Sequence, residues 1–235
     1  MSSKKRTSSS RQSRRANQRR RTRSPLRTYG LIAAIAVVAI GLVAVVAWAG
    51  QRGSSSSEPK PVSTDKSVGA AEAPVVVVEY ADFQCPYCGQ FAAGPEAQLR
   101  EEYVGTGKVR FVYRHFAFIG DESMWAAEAS ECANDQGRFW EYHDKLFEEQ
   151  AGENQGAFSR DNLKQFAADL GLDTTAFNQC LDSEKFKSKV EQENRDARNL
   201  RIQATPTVVV NGKVVPNGAV YSVLKAAVEA ALQEE

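Results

Sequence analysis

The chain has 235 residues, of which 42% are hydrophobic and 25% charged, with a formal net charge of +1. That composition excludes a collagen-like, wholly disordered or disulfide-dense small scaffold and leaves room for one sizeable domain with additions. The near-zero charge hides a split: residues 1–28 carry eleven Lys or Arg and no acid, leaving nineteen basic against twenty-nine acidic residues, a net near −10.

Residues 1–28 are rich in Ser, Arg and Gln and nearly devoid of apolar side chains. Such a segment cannot bury enough surface to offset the entropy of ordering, so it reads as a disordered basic tail. Leu31 to Ala49 then runs for nineteen residues without a charge or a strongly polar group. As a helix it would span roughly 28 Å, close to the hydrocarbon thickness of a bilayer, and it lacks the polar stripe of a core helix. Residues 29–50 are therefore predicted to be one transmembrane helix. The basic tail precedes it and only Arg52 closely follows. The positive-inside rule keeps the tail in the cytoplasm and places the rest of the chain outside. The tail is then a topology signal, and nucleic acid is not expected as a partner. Ala47-Trp48-Ala49 fits a cleavage site, but the apolar run exceeds the usual length of about 7–15 residues for a cleaved signal, which favours a retained anchor. Residues 51–69, with Ser54 to Ser57, Pro59 and Pro61, read as a flexible tether.

Pro74 to Tyr80 is a β-branched run that reads as a buried strand and leads directly to Cys85. From Cys88 onward, Phe91, Ala92, Ala97 and Leu99 fit a helix that stops before Gly105-Thr106-Gly107. Val109 to Tyr113 reads as a second central strand. A long helical stretch follows. Trp125, Ala129, Cys132 and Ala133 share one face; Phe139, Trp140, His143, Leu146 and Phe147 share another. Asp161 can cap a helix carrying Leu163, Phe166, Ala167 and Leu170, which Gly171 ends. Phe177, Cys180, Leu181, Phe186 and Val190 continue the pattern. The block is too long for a loop, and is predicted to be a helical insertion over about 119–198. Thr207 to Val210 and Lys213 to Val215 flank Asn211-Gly212, the strongest short hairpin signal. Val220, Val223, Leu224, Ala227, Val228, Ala231 and Leu232 close the chain as an amphipathic helix.

All four cysteines, Cys85, Cys88, Cys132 and Cys180, follow the apolar segment. In the predicted topology they face an oxidising compartment, where disulfides persist. Cys85 and Cys88, two residues apart at a strand-to-helix junction, can bring their sulfurs into bonding range. At the helix N-terminus, unpaired N–H groups and the dipole stabilise a Cys85 thiolate, the nucleophile of disulfide exchange. Pro86 suits the first helical position. Cys88, one turn in, is the expected resolving thiol. No second Cys-x-x-Cys and no His pair at ligand spacing accompanies them, so no metal and no cofactor is expected.

Glu79 to Cys88 (Glu-Tyr-Ala-Asp-Phe-Gln-Cys-Pro-Tyr-Cys), the helical insertion, and Thr205-Pro206-Thr207 before the hairpin together resemble the DsbA-like branch of the thioredoxin superfamily. The resemblance covers residues 70–235. It implies an α/β thioredoxin fold interrupted by a helical domain. It implies a cis Thr205-Pro206 bond facing the cysteine pair, with Thr205, Pro206, Pro86 and Tyr87 contacting substrate. The central Pro86-Tyr87 departs from the Pro-His of the well-known periplasmic oxidase, which implies a milder oxidant. Glu79, at the end of an apolar strand, has two readings: a strand-end carboxylate, or a partly buried acid that relays the proton of Cys88. DsbA-like proteins are similar in carrying an acid at this spacing.

For Cys132 and Cys180 the oxidising compartment favours a structural disulfide pinning the insertion, against two free thiols or a second redox pair. His115 and His143 read as packing or surface groups, and Trp125, Trp140 and Phe147 as core. The leading function is an oxidase in the bacterial envelope, a single-pass cell-membrane protein with its domain outside. A thiolate of an unfolded or reduced secreted protein attacks Cys85, and Cys88 resolves the mixed disulfide. The resemblance implies a quinone-linked membrane partner, DsbB-like or similar to vitamin K epoxide reductase, for reoxidation. Two alternatives stand beside it: a reductase or isomerase using the same pair, and a non-enzymatic peptide-binding module with structural disulfides.

Overall fold

The computed structural model describes residues 66–234; the basic tail, the apolar segment 29–50 and the tether up to residue 65 lie outside the described residues. No helix among the described residues is long and apolar enough to cross a membrane.

Five strands form one sheet: β1 (Ser67–Val68), β2 (Val75–Ala81), β3 (Val109–His115), β4 (Thr207–Val210) and β5 (Lys213–Val214), in the spatial order β1-β3-β2-β4-β5. The central β2 runs parallel to β3 from Val75↔Val109 to Ala81↔His115 and antiparallel to β4 from Val77↔Val210 to Tyr80↔Thr207. Its alternate residues Val75, Val77, Glu79 and Ala81 are fully buried. Period-2 alternation thus carries the charged Glu79 inward on the same face as three apolar neighbours. β4 and β5 meet at Asn211 (φ 43°) and Gly212 (φ 79°), the left-handed pair a tight hairpin demands.

β1 lies inside the stretch expected to be tether. Ser67 and Val68 pair with Val112 and Phe111 of β3, and the buried Lys66 ammonium meets Glu131 Oε1 at 2.6 Å and Glu193 Oε1 at 2.5 Å. Any tether therefore ends before Lys66, four residues earlier than the sequence reading placed it. A single lysine in a polar stretch carries no periodicity that would reveal burial. Its two acids lie 65 and 127 residues away.

The crossover from β2 to β3 is one helix, α1. It begins at Pro86–Phe91, continues through Ala97–Leu99, and widens to π geometry over Ala92–Glu96 and Arg100–Val104. Pro95 sits inside the first wide stretch. Proline lacks the N–H and crowds the preceding turn, and a wider local register accommodates both defects.

Between β3 and β4 the chain inserts five helices: α2 (Asp121–Asn134), α3 (Phe139–Glu148), α4 (Arg160–Asp169), α5 (Thr174–Asp182) and α6 (Lys187–Asn199). Cys132 of α2 and Cys180 of α5 are joined by a disulfide, Cα–Cα 5.9 Å. The final helix, α7 (Tyr221–Gln233), buries Leu224 and Val228. One apolar core gathers Val77, Phe91, Leu99, Phe111, Val208 and Leu224 between sheet, α1 and α7. A second gathers Phe83, Tyr113, Ala129, Phe139, Tyr142 and Phe177. Cys85 and Cys88 belong to the second, so the insertion packs directly on the cysteine turn.

Candidate active site

β2 ends at Ala81, and four residues later Cys85 caps the N-terminus of α1 in extended backbone (φ −69°, ψ 119°), with Pro86 opening the helix. As the cap, Cys85 accepts the first helical bonds through its carbonyl, from Cys88 N at 3.1 Å and Gly89 N at 3.2 Å. Cys85 is 6% exposed and Cys88 fully buried, while Tyr87 between them is 66% exposed. Both cysteines are free thiols here. Thr205-Pro206 is a cis peptide bond, and Cys85 Sγ lies 3.4 Å from the Thr205 carbonyl oxygen, to which the thiol donates. Cys85, Cys88, Thr205 and Pro206 therefore come together, with Tyr87 exposed on the same turn.

The two sulfurs differ sharply in acidity. Hydrogen bonding from the Cys88 side chain, then from the Thr205 side chain and the N–H groups of Cys88 and Tyr87, outweighs burial and holds the Cys85 thiol down at about 6. Burial first, then the hydrogen bond to the Cys85 side chain and the Glu79 and Cys85 charges, push Cys88 well above the ordinary thiol range. One sulfur is thus largely a thiolate at neutral pH and the other a thiol, the asymmetry that disulfide exchange needs.

Glu79 is fully buried, and neither carboxylate oxygen has a hydrogen-bond partner. Burial chiefly, then the Glu96 and Cys85 charges, raises its pKa well above the carboxylate range. The Glu79 charge in turn helps to raise Cys88. Of its two sequence readings, the buried acid describes the geometry.

Sequence reasoning missed the residues that fix the turn. Buried Asp82 accepts four hydrogen bonds: Oδ1 from Gln84 N (2.9 Å) and Ser123 Oγ (2.6 Å), Oδ2 from Phe118 N (2.9 Å) and Ile119 N (3.1 Å). It ties the cysteine loop to the start of α2. Gln84 Nε2 donates to Ser123 Oγ at 2.8 Å, and its Oε1 accepts from Asn154 N at 2.6 Å. Gln150 Nε2 donates to the carbonyls of Phe83 (2.6 Å) and Cys85 (3.1 Å). Gly89 admits that side chain: a Cβ there would stand 2.5 Å from Gln150 Oε1. Polar Asp82 and Gln84 beside the cysteines were the available signal; Gln150 and Asn154 lie in an aperiodic loop and gave none.

The two histidines are buried. His115 Nε2 is 3.2 Å from Glu131 Oε1, within the cluster that Lys66 neutralises. His143 stands among Phe83, Tyr113, Phe139, Trp140 and Phe147, with Nδ1 2.8 Å from Asp144 Oδ1. Trp125, Trp140 and Phe147 pack at the margin of the second core.

Comparison with known proteins agrees with this geometry. A family model described as thioredoxin matches residues 62–230. Disulfide bond formation protein D of Bacillus subtilis is 35% identical over 173 residues, covering 71% of this chain and 76% of that protein. A probable disulfide bond formation protein D of Bacillus anthracis is 31% identical over 193 residues, covering 80% and 89%. The crystal structure of oxidised BdbD from Bacillus subtilis superposes with a TM-score of 0.67 at 33% identity, over 73% of this chain and 95% of that one. The reading as a non-enzymatic peptide-binding module gives way to these relatives and to the unequal thiols. The chain belongs to the thioredoxin family, in its DsbA-like branch, and is a thiol:disulfide oxidoreductase.

Proposed function

We propose that this oxidoreductase forms disulfides in reduced proteins outside the cytoplasm, tethered to the cell membrane by residues 29–50. The observation that carries the oxidative direction is the unequal acidity of the pair. A Cys85 thiolate held at about 6 stabilises the reduced enzyme, and an enzyme that gains by being reduced is an oxidant. The order of basic tail, apolar segment and tether supports the outward placement.

In the substrate half-reaction a substrate thiolate attacks Cys85 Sγ of the oxidised pair. The Cys85–Cys88 bond breaks, a substrate–Cys85 bond forms, and Cys88 leaves with the electron pair. Glu79, in its neutral acid form, supplies the proton that this buried thiolate takes up. The second substrate thiolate then attacks the first substrate sulfur. Cys85 leaves as a stable thiolate, and the substrate carries the new disulfide. Atom balance therefore gives substrate release to the substrate's own second thiol. The resolving role of Cys88 belongs to reoxidation, a correction to the order of steps read from sequence. There Cys85 attacks the partner's disulfide, Cys88 gives its proton to Glu79 and attacks Cys85, and the partner sulfur departs.

Substrates are unfolded or reduced exported proteins, held as extended chain against Thr205, Pro206, Pro86 and Tyr87. The reoxidant is a quinone-linked membrane protein of the DsbB or vitamin K epoxide reductase kind. The test is trapping in cells. Cys88→Ala retains the Cys85 nucleophile, which can attack a disulfide of an exported protein or of the reoxidant, and no Cys88 remains to attack Cys85 and release the adduct, so mixed disulfides with exported proteins should accumulate on non-reducing gels. Capture of cytoplasmic proteins alone would contradict the location, and capture of none would contradict substrate exchange.

A further inference from the structure

Beneath the cysteines lies a buried polar cluster that the exchange at the mouth does not use. Both oxygens of Glu79, Glu96 Oε2, His143 Nε2 and Tyr113 Oη have no hydrogen-bond partner. One atom each from Glu79, Glu96 and His143 fall within 4.8 Å of one another. All three side chains are essentially inaccessible. Leaving a buried polar group unpaired costs roughly 1–3 kcal/mol, so a concentration of such groups in a packed core calls for a use.

The cluster has an outer end. Glu96 Oε1 accepts from Arg100 Nη1 at 3.2 Å. Glu96, Arg100, Asp144 and Phe147 line an open cavity of about 310 Å³ between α1 and α3. Ala93 and Gly89 complete that wall, and neither cysteine, nor Thr205 or Pro206, touches it. His143 joins the cluster to the same cavity through Asp144. The π stretch around Pro95 sets Glu96 facing inward from a helix whose neighbours Ala93 and Ala97 are exposed.

We propose that Glu96 and His143 are the outer half of a proton path running from Cys88 through Glu79 to the cavity between α1 and α3. This deepens the role of Glu79 in the proposed reaction and rests on it. The path matters because a bound substrate or partner covers the mouth when Cys88 must lose or regain its proton. In reoxidation the Cys88 proton passes to the Glu79 carboxylate, then to Glu96 or His143 Nε2, and leaves through the cavity. The Cys88 thiolate forms the bond to Cys85, and the partner sulfur leaves with the electron pair; substrate oxidation runs the same transfers inward. The charged and titratable groups facing the cluster are Glu79 from β2, Asp82 from the turn, Tyr113 from β3, Cys85, Cys88, Glu96 and Arg100 from α1, and His143 and Asp144 from α3. Burial raises Glu96, opposed by His143 and Arg100, so its proton is held within exchange range of a raised Glu79.

The test follows ring closure in the reduced full chain mixed with oxidised glutathione. Attack by Cys85 is second order overall and first order in oxidised glutathione; closure by Cys88 is first order and independent of it. In Glu96→Gln the ratio of closure to attack at pH 7 should fall about 100-fold, the low end of acid–base effects, and its pH profile should change shape. Added imidazole, small enough for the cavity, should restore the rate. Ala93→Trp, at an exposed position, should block the cavity, slow closure and abolish the rescue; it serves even where Glu96→Gln fails to fold. Unchanged closure in Ala93→Trp, or slowing that imidazole does not relieve in a folded Glu96→Gln, overturns the path. Glu79→Gln separates the two ideas. Slow closure there with normal closure in the outer variants rejects only the path, and normal closure in Glu79→Gln rejects the relay itself.

Discussion

Replacing Cys88 with Ala removes the partner that contributes most to holding the Cys85 thiol at about 6. A hydrogen bond to a charged group contributes about 1.5–3 kcal/mol, and one pKa unit is about 1.36 kcal/mol. Cys85 in the variant should then titrate at about 7–8, and its thiolate fraction at pH 7 should drop from ~90% to between ~50% and ~10%. The same ionisation is a stability term. The folded value lies below the unfolded value of about 8.5, so the contribution is fully present above that pH and is lost as pH falls through about 6. At pH 7 it stabilises the reduced protein by ~1.4 kcal/mol, equivalent to ~30 mV in a two-electron couple. Because Cys85 is only 6% exposed, solvent screening takes little from this figure. The assay is the pH dependence of iodoacetamide alkylation, read by intact mass in the reduced wild type and in Cys88→Ala. A wild-type midpoint at 8–9, or a variant midpoint still at about 6, would refute the assignment of that hydrogen bond.

Glu79→Gln should make the reduced protein more stable by a margin that grows from pH 4 to pH 8. The raised wild-type carboxyl contributes fully below its unfolded pKa and loses that contribution as pH rises; urea unfolding showing a pH-independent margin would contradict this. Replacing both Cys132 and Cys180 by Ala opens a link across 48 residues, and the chain-entropy relation gives a loss of about 4 kcal/mol. Denaturant midpoints under oxidising conditions measure it, and a loss below about 1 kcal/mol would mean that α2 and α5 hold each other without the bridge. Asp82→Ala strands four donors and should cost about 3–5 kcal/mol. It should also increase hydrogen exchange at Phe118 and Ile119; protection unchanged there would show that Asp82 does not anchor the loop.

How much of the site was legible depends on the range over which its parts speak. The β-branched run before Cys85, the Cys-x-x-Cys at a strand-to-helix turn and Asn211-Gly212 are local signals, and each element forms where periodicity or turn chemistry puts it. The insertion was legible as a run of apolar helical faces, and its observed helices fill Asp121–Asn199. The buried cations and acids were not. Lys66 finds its counter-charges in α2 and α6, and Asp82 finds donors up to 41 residues away, so no window of sequence contains the pairing. Glu96 reads as one more surface acid on α1 until the π stretch at Pro95 turns it inward. His143 was rightly placed among aromatics, but the unpaired Nε2 beside Glu96 exists only in three dimensions.

The oxidative direction rests on the Cys85 thiolate making reduction favourable, and the reduction potential of the full chain in glutathione buffers at pH 7 measures that directly. A potential between about −200 and about −120 mV is expected, from the range of known disulfide donors and the absence of a histidine between the cysteines. A value near about −270 mV, that of thioredoxin, would contradict the oxidase and identify the pair as a reductant.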